Sequence, residues 1–176
     1  MKDKNTIIPN SQLLLSDLCQ IIDRARIWVA SSVNHEMTMM YWHIGERINR
    51  DVLSNQRAEY GKQIVSQVAT QLQEQYGSKG FDERNIRRMM QFAQEMPDEQ
   101  IVSQLATKLS WSHFVEVLPL KEPLAREFYL TMSASSKWGR NQLRKEIDSM
   151  MFERMAIASK HHRVYFFPQL VSSPFA

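Results

Sequence analysis

Residues 11–53 read SQLLLSDLCQIIDRARIWVASSVNHEMTMMYWHIGERINRDVL. Apolar residues recur along this stretch at spacings of mostly three and four, from Leu14 and Leu18 to Ile44 and Ile48. This spacing places them on one side of a helix. The pattern fits either one very long helix or two helices joined near residues 31–34. In both cases the apolar stripe faces a core or a partner molecule.

Gly45 interrupts this helical pattern. Glycine in a helix interior costs about 1 kcal/mol relative to alanine, because it has more conformational freedom to lose. We therefore expect another element of the protein to pack closely against Gly45.

The rest of the chain has the same helical character. With only 5 glycines and 6 prolines in 176 residues, few positions break a helix. The length suggests one domain. We predict an all-α helical bundle with helix-turn-helix elements and a long N-terminal helix or helix pair. Its further helices are expected at 59–76, 82–96, 101–107, 111–118, 122–133 and 139–158.

Three segments are expected along the chain: an N-terminal arm (1–10), a helical domain (11–160) and a tail (161–176) that is poorly ordered or a short strand. The first ten residues lack the apolar stretch of a signal peptide, and no run reaches the roughly 20 apolar residues of a membrane helix. A cytoplasmic location without membrane contact is expected.

Cys19, the single cysteine, is expected to be a buried core thiol. Core packing is also expected for Trp28, Trp42, Trp111 and Trp138. Leu124, on the apolar face of the 122–133 helix, is expected to be buried as well.

Signatures of catalysis are absent from the sequence. It contains no GxxxxGK[ST] phosphate loop, no GxGxxG after a strand, no HExxH and no GxSxG. His35 and His43 are eight residues apart, about two helical turns, which is too far for one metal ion. We predict no catalytic residues, no metal site and no cofactor.

The strongest functional signal is a pair of helices joined by a glycine turn, GSKG at 77–80. A DNA-recognition helix meets bases with residues near its N-terminus, while arginine and lysine neutralise phosphates. A second such stretch, residues 104–113, offers Ser110, Ser112 and His113. Helix pairs of this kind also occur in ordinary bundles, so packing remains the alternative. The candidate nucleic-acid contacts are Lys79, Arg84, Asn85, Arg87 and Arg88.

The charge distribution is compatible with a polyanion. The whole chain carries a net charge of +3. Residues 134–164 contain seven lysines and arginines against three acidic residues, so this segment carries +4. A solvated helix face is the alternative explanation.

Several longer motifs occur in a fixed order along the chain. They are YWHIG (41–45), EYGK (59–62), YGSKGFDERNIRRM (76–89), LSWSH (109–113), REFY (126–129) and WGRNQL (138–143).

In order and spacing, these motifs resemble the N-terminal domain of the YhcG family, over about residues 11–160. The resemblance implies a helical or winged-helix-like DNA-binding module that precedes a PDDEXK-type nuclease domain. No positions here receive the catalytic carboxylates and lysine of that second domain, and the tail does not match the family pattern. A free-standing module and a truncated or frameshifted gene both remain explanations.

Three hypotheses follow. The first is a non-catalytic module that binds nucleic acid, with DNA as the expected ligand. The second is an interaction scaffold that forms homo-oligomers through the stripe of residues 11–53 or docks a separate nuclease subunit. The third is a truncated remnant of a two-domain nuclease, with the apolar residues 164–167 exposed.

Overall fold

The computed structural model describes residues 9–54, 58–77 and 80–161. Within them lie eight helices and no strand. This confirms the all-α bundle. Because the described residues contain no strand, they contain no β-strand wing of the kind that a winged-helix domain has. Most of the arm and the tail, together with Lys79, lies outside the described residues. The helices are α1 (Pro9–Ser54), α2 (Ala58–Tyr76), α3 (Glu83–Glu95), α4 (Glu99–Ala106), α5 (Trp111–Val117), α6 (Pro123–Ser136), α7 (Arg140–Asp148) and α8 (Met151–His161).

The first segment is one continuous helix, not two. Helix α1 has 46 residues, which at 1.5 Å per residue gives a rod about 69 Å long. Its C-terminal half packs chiefly against α3 and also touches α2, α4 and α5. This half organises the bundle.

Gly45 is the point of closest approach between α1 and α3. A Cβ atom built on Gly45 would lie 1.9 Å from the backbone oxygen of Met89. The expectation of close packing at this glycine is therefore confirmed. One turn later, Asn49 donates a hydrogen bond from Nδ2 to the Met90 carbonyl oxygen at 2.7 Å, which fixes the two helices in register.

Two apolar clusters form the core. The smaller joins α1, α2 and α3 around Tyr41, Val65 and Ile86. The larger runs from Trp42 and Phe92 through α4, α5 and α6 to Leu143 of α7. The indole of Trp111 packs against both clusters and so connects them.

The last predicted helix, 139–158, is two helices, so that prediction was wrong. Helix α7 ends at Asp148, and Met150 adopts a left-handed conformation with φ 54° before α8 begins. The Tyr129 hydroxyl holds the break: it accepts a hydrogen bond from the Phe152 backbone N–H at 3.1 Å. A tertiary contact replaces the continued helix, which the local pattern does not reveal.

Three residues predicted to be buried are exposed. Trp28 is 71% exposed, Leu124 is 63% exposed, and Cys19 is also exposed. Trp28 and Cys19 belong to residues 14–30 of α1, all of which are exposed. The core predictions for these residues were wrong because helical periodicity identifies a face without showing what covers it. Trp42 is buried, while Trp111 and Trp138 are half-buried against the large cluster.

Candidate nucleic-acid interface

The connection from α2 to α3 is built from two glycines with positive φ. Gly77 has φ 90° and its backbone N–H donates to the Gln73 carbonyl oxygen at 2.9 Å, which closes the end of α2. Gly80 has φ 92°, and the Tyr41 hydroxyl lies close to the position that a side chain there would occupy. Glycine adopts this left-handed conformation without the steric cost that other residues incur. The turn therefore lies close against α1 at Gly80.

Asp82 and Asn85 fix the start of α3. Asp82 caps the helix: its carboxylate oxygen accepts from the Asn85 backbone N–H at 3.0 Å. The Asn85 side chain is turned inward and is 9% exposed. It donates from Nδ2 to the Gly80 carbonyl oxygen at 2.6 Å and accepts from the Trp111 indole N–H at 3.3 Å. Both ends of this amide are engaged, so Asn85 positions the turn.

The three arginines of α3 differ in exposure and pairing. Arg84 and Arg87 are exposed, and Arg88 is half-buried. Arg87 donates from Nε and Nη2 to the Glu83 carboxylate at 3.1 and 2.6 Å. Within the described residues, neither Arg84 nor Arg88 has an ion pair or a side-chain hydrogen bond. These two lie four residues apart and so project from one face of the helix.

In the second helix–turn–helix stretch, the polar side chains form hydrogen bonds within the protein. Ser110 caps α5, and its hydroxyl lies 2.8 Å from the Ser112 hydroxyl and 3.0 Å from Nδ1 of His113. His113 is buried, and its Nε2 lies 2.9 Å from the Trp138 carbonyl oxygen. Because Nδ1 also accepts the Ser110 backbone N–H, the proton belongs on Nε2, which donates to Trp138. The histidine therefore ties α5 to the end of α6.

The basic excess of residues 134–164 is partly neutralised by an acid outside that window. The Glu116 carboxylate accepts from Nε of Arg140 at 2.6 Å and from Nη2 and Nε of Arg144 at 2.7 and 3.0 Å. The hydrogen bond from Arg144 holds the pKa of Glu116 below its usual value, partly opposed by desolvation and aided by Arg140. No local pattern predicts this cluster, because Arg140 and Arg144 lie 24 and 28 residues after Glu116.

Other site chemistries find no support in the part of the chain that the structure describes. It holds no group of three histidine, cysteine or carboxylate side chains placed to bind a metal ion. None of its helices is long and apolar enough to cross a membrane. A cavity of about 670 Å³ between α1 and the α4–α5 turn is edged by Lys108 and Lys137 and has no acidic residue in its lining.

The fold and this helix face thus define a helical bundle with a capped helix, α3, whose Arg84 and Arg88 have no acidic partner in the part of the chain that the structure describes. The chain belongs to the family described as the DUF1016 N-terminal domain, whose model matches residues 17–154. It is 27% identical over 177 residues to a protein of Escherichia coli (strain K12) named "Putative nuclease YhcG". That alignment covers 84% of this chain and 47% of the relative, so the chain spans about half of the relative's length. No solved structure matches.

Proposed function

We propose that this chain is a non-catalytic DNA-binding module of a nuclease system. The observation that carries the proposal is the pair Arg84 and Arg88, which project from one face of α3 without an acidic partner among the described residues. A guanidinium without a carboxylate partner keeps its full charge for phosphate. By contrast, Arg140 and Arg144 are engaged with Glu116.

The start of α3 adds to this attraction. The first turn of a helix carries a partial positive charge and backbone N–H groups without helical acceptors. Asp82 occupies some of these groups, and Glu83 reduces the local charge. We therefore assign phosphate binding to the arginine side chains rather than to the helix end. Lys79 lies five residues before Arg84 in the sequence, and we assign it to the same proposed surface on that ground.

The five predicted contacts separate into different roles in this proposal. Arg84, Arg88 and Lys79 contact phosphate directly. Arg87 contributes less, because its ion pair with Glu83 must be loosened first. Asn85 acts indirectly, since its amide holds Gly80 and Trp111. The second stretch, around His113, supports the fold.

The link to nuclease chemistry comes from the relative. The relative is named a putative nuclease, and this chain matches about half of its length. The matched helices hold no group of carboxylates placed for a metal ion among the described residues, and hydrolysis of a phosphodiester by a nuclease commonly uses metal-bound carboxylates. We propose that this domain targets DNA and that cleavage belongs to another domain or subunit, in the cytoplasm.

Fluorescence anisotropy with labelled duplex DNA at two salt concentrations tests the proposal. Arg84→Ala/Arg88→Ala should weaken binding to all sequences and lower the slope of log K against log salt by about two. The matched control is Arg26→Ala/Lys145→Ala, which removes the same charge from exposed positions elsewhere. The control should keep the wild-type slope within about half a unit.

Two results would overturn this proposal. One is the absence of binding by the wild-type chain at micromolar protein and low salt. The other is an equal loss in the α3 variant and the control, which would mean that net charge, rather than this face, governs binding. Arg87→Ala should fall between wild type and the double variant.

A second candidate function is an interaction scaffold. The specific observation that favours it is the exposed apolar surface on the N-terminal half of α1, where Leu15, Ile21 and Trp28 are all more than 60% exposed. Such a surface is typical of a protein contact. It can coexist with DNA binding, because α3 lies on the other half of α1. A separate nuclease subunit and a second copy of this chain are the two candidate occupants.

A further inference from the structure

The N-terminal half of α1 carries a continuous apolar surface that the bundle leaves open. Its large side chains recur at spacings of mostly one, three and four, so they form a broad helical stripe. The least exposed of them, Leu18, is 47% accessible and the most exposed, Trp28, is 71% accessible. We call this surface the N-terminal stripe. Its members are Leu14, Leu15, Leu18, Ile21, Ile22, Trp28, Val29 and Val33.

The centre of the stripe, at Leu18, faces away from the bundle. On α1 the body-facing side is marked by Ser31, whose hydroxyl donates to the Thr107 carbonyl oxygen at 2.8 Å, and by the buried Thr38. Leu18 lies 20 residues before Thr38, and a helix turns about 100° per residue. The two side chains therefore point roughly 200° apart. Among the described residues, no other helix covers the stripe.

We propose that the N-terminal stripe pairs with the same stripe of a second copy of this chain, as an antiparallel two-helix contact. With Leu18 set opposite the partner's Ile21, two-fold symmetry sets Ile21 opposite the partner's Leu18. The next layer sets Leu14 opposite the partner's Ala25. These positions follow the alternating three- and four-residue spacing of a coiled coil.

The charges on the edges of the stripe select this direction. In heptad terms Leu18 and Ile21 are the two core positions, and Asp17 and Arg24 both occupy the same flanking position, one heptad apart. In antiparallel pairing this edge meets its own copy, so Asp17 approaches the partner's Arg24, and the reverse contact forms by symmetry. In parallel pairing the same edge would meet the partner's opposite edge, where Leu15 and Ile22 lie. Only the antiparallel arrangement pairs the charges.

The stripe is large enough for such a contact. It runs over 20 residues, or about 30 Å of helix. Its eight side chains, each roughly half exposed or more, leave on the order of 500 Å² of apolar surface accessible. With the flanking polar edges this approaches the roughly 800 Å² per partner of a stable interface. Arg24 is available for a partner, since its described contact is a single exposed hydrogen bond to Gln20 at 3.2 Å.

Sedimentation velocity on the full 176-residue chain between about 1 and 100 µM tests the pairing. The wild type should show twice the mass of the 20.7 kDa chain, or a higher even multiple of it. Leu18→Glu/Ile21→Glu should be monomeric across this range. Because both side chains are exposed in the single chain, its circular dichroism spectrum should remain helical.

A charge exchange tests the direction. Asp17→Arg and Arg24→Asp should each raise the dissociation constant about tenfold at low salt, since each sets like charges together twice. The double variant Asp17→Arg/Arg24→Asp should return to within about threefold of wild type. Asp23→Arg is the matched control: it makes the same charge change on the side of the helix away from the stripe, and should behave as wild type.

Three results would overturn the proposal. A monomeric wild type at 100 µM would leave the stripe to another occupant, a nuclease subunit or the chain's own tail. Association unaffected by Leu18→Glu/Ile21→Glu would place the contact elsewhere. Single charge variants that weaken association without rescue by the exchange would exclude the antiparallel register. The proposed pairing does not depend on DNA binding. Arg84→Ala/Arg88→Ala should therefore keep the wild-type mass.

Discussion

The two halves of α1 carry similar apolar patterns, but the apolar side chains of one half are largely buried and those of the other are exposed. In the C-terminal half, Met39, Trp42 and Ile48 are no more than 8% exposed. In the N-terminal half, Leu15 and Trp28 are 61% and 71% exposed. The spacing of the apolar residues predicts a helix equally well in both halves. The comparison teaches that an apolar stripe specifies a helix with a face to cover, while the arrangement of the other helices decides whether the same chain covers it.

The largest expected effect contrasts one tryptophan from each half. Trp42→Ala should destabilise the protein by about 4 kcal/mol, because it empties a core site and removes the indole donor of the Met96 carbonyl oxygen. Trp28→Ala should change the stability by no more than about 0.5 kcal/mol at low protein concentration. Urea unfolding followed by circular dichroism measures both. Equal losses would show that the N-terminal half is covered within a single chain.

Gly45→Ala should have the next largest effect. The added methyl group would collide with the Met89 carbonyl oxygen and force α1 and α3 apart. We expect a loss of about 2 kcal/mol, since overpacking outweighs the gain of about 1 kcal/mol in helix propensity. Gly139→Ala is the control, because no atom lies within 4 Å of its added carbon. A stabilised Gly45→Ala protein would contradict the close approach of the two helices.

A smaller effect is expected at the ion pairs between α5 and α7, away from α1. The pKa of Glu116 is lowered in the folded protein, chiefly by the hydrogen bond from Arg144. The ionised carboxylate therefore contributes stability above its unfolded pKa, near 4.5, and loses it as the pH falls through the lower folded value. Glu116→Gln should lower Tm by roughly 2–4 °C at pH 7.

The pH dependence distinguishes this ion pair from a packing effect. The difference in Tm between wild type and Glu116→Gln should shrink progressively below about pH 4.5. Differential scanning calorimetry from pH 7 to pH 3 measures it. A difference that stays constant with pH would assign the loss to packing rather than charge.

The smallest expected effect is a gain in stability in the covered half. The Thr38 hydroxyl is fully buried and has no hydrogen-bond partner among the described residues. Thr38→Val removes this unsatisfied group while keeping a similar shape, so we expect about 1 kcal/mol of added stability. Urea denaturation measures the gain. Ser32→Val, at a half-buried position of the same helix, is the control and should show no comparable gain.

The sequence predicted the candidate site in part. Helical spacing placed Arg84, Arg87 and Arg88 together near the start of one helix, and the structure places them in the first two turns of α3. It could not separate Asn85 from the arginines, because the groups that engage its amide, at Gly80 and Trp111, depend on how distant segments pack. The functional role of the arginines stays a prediction.

By itself the sequence determined where most of the helices lie, because helix formation depends on residues within one or two turns. It also predicted a close contact at Gly45, but not that Met89 of α3 makes it. Only the tertiary structure decided which apolar face is covered, which cations are paired and where the last helix breaks. Trp28, the Glu116 cluster and the Tyr129 hydrogen bond each depend on groups more than 20 residues away, or on the absence of such groups from one face. The local spacing of apolar and polar residues cannot show contacts between groups so far apart in the sequence.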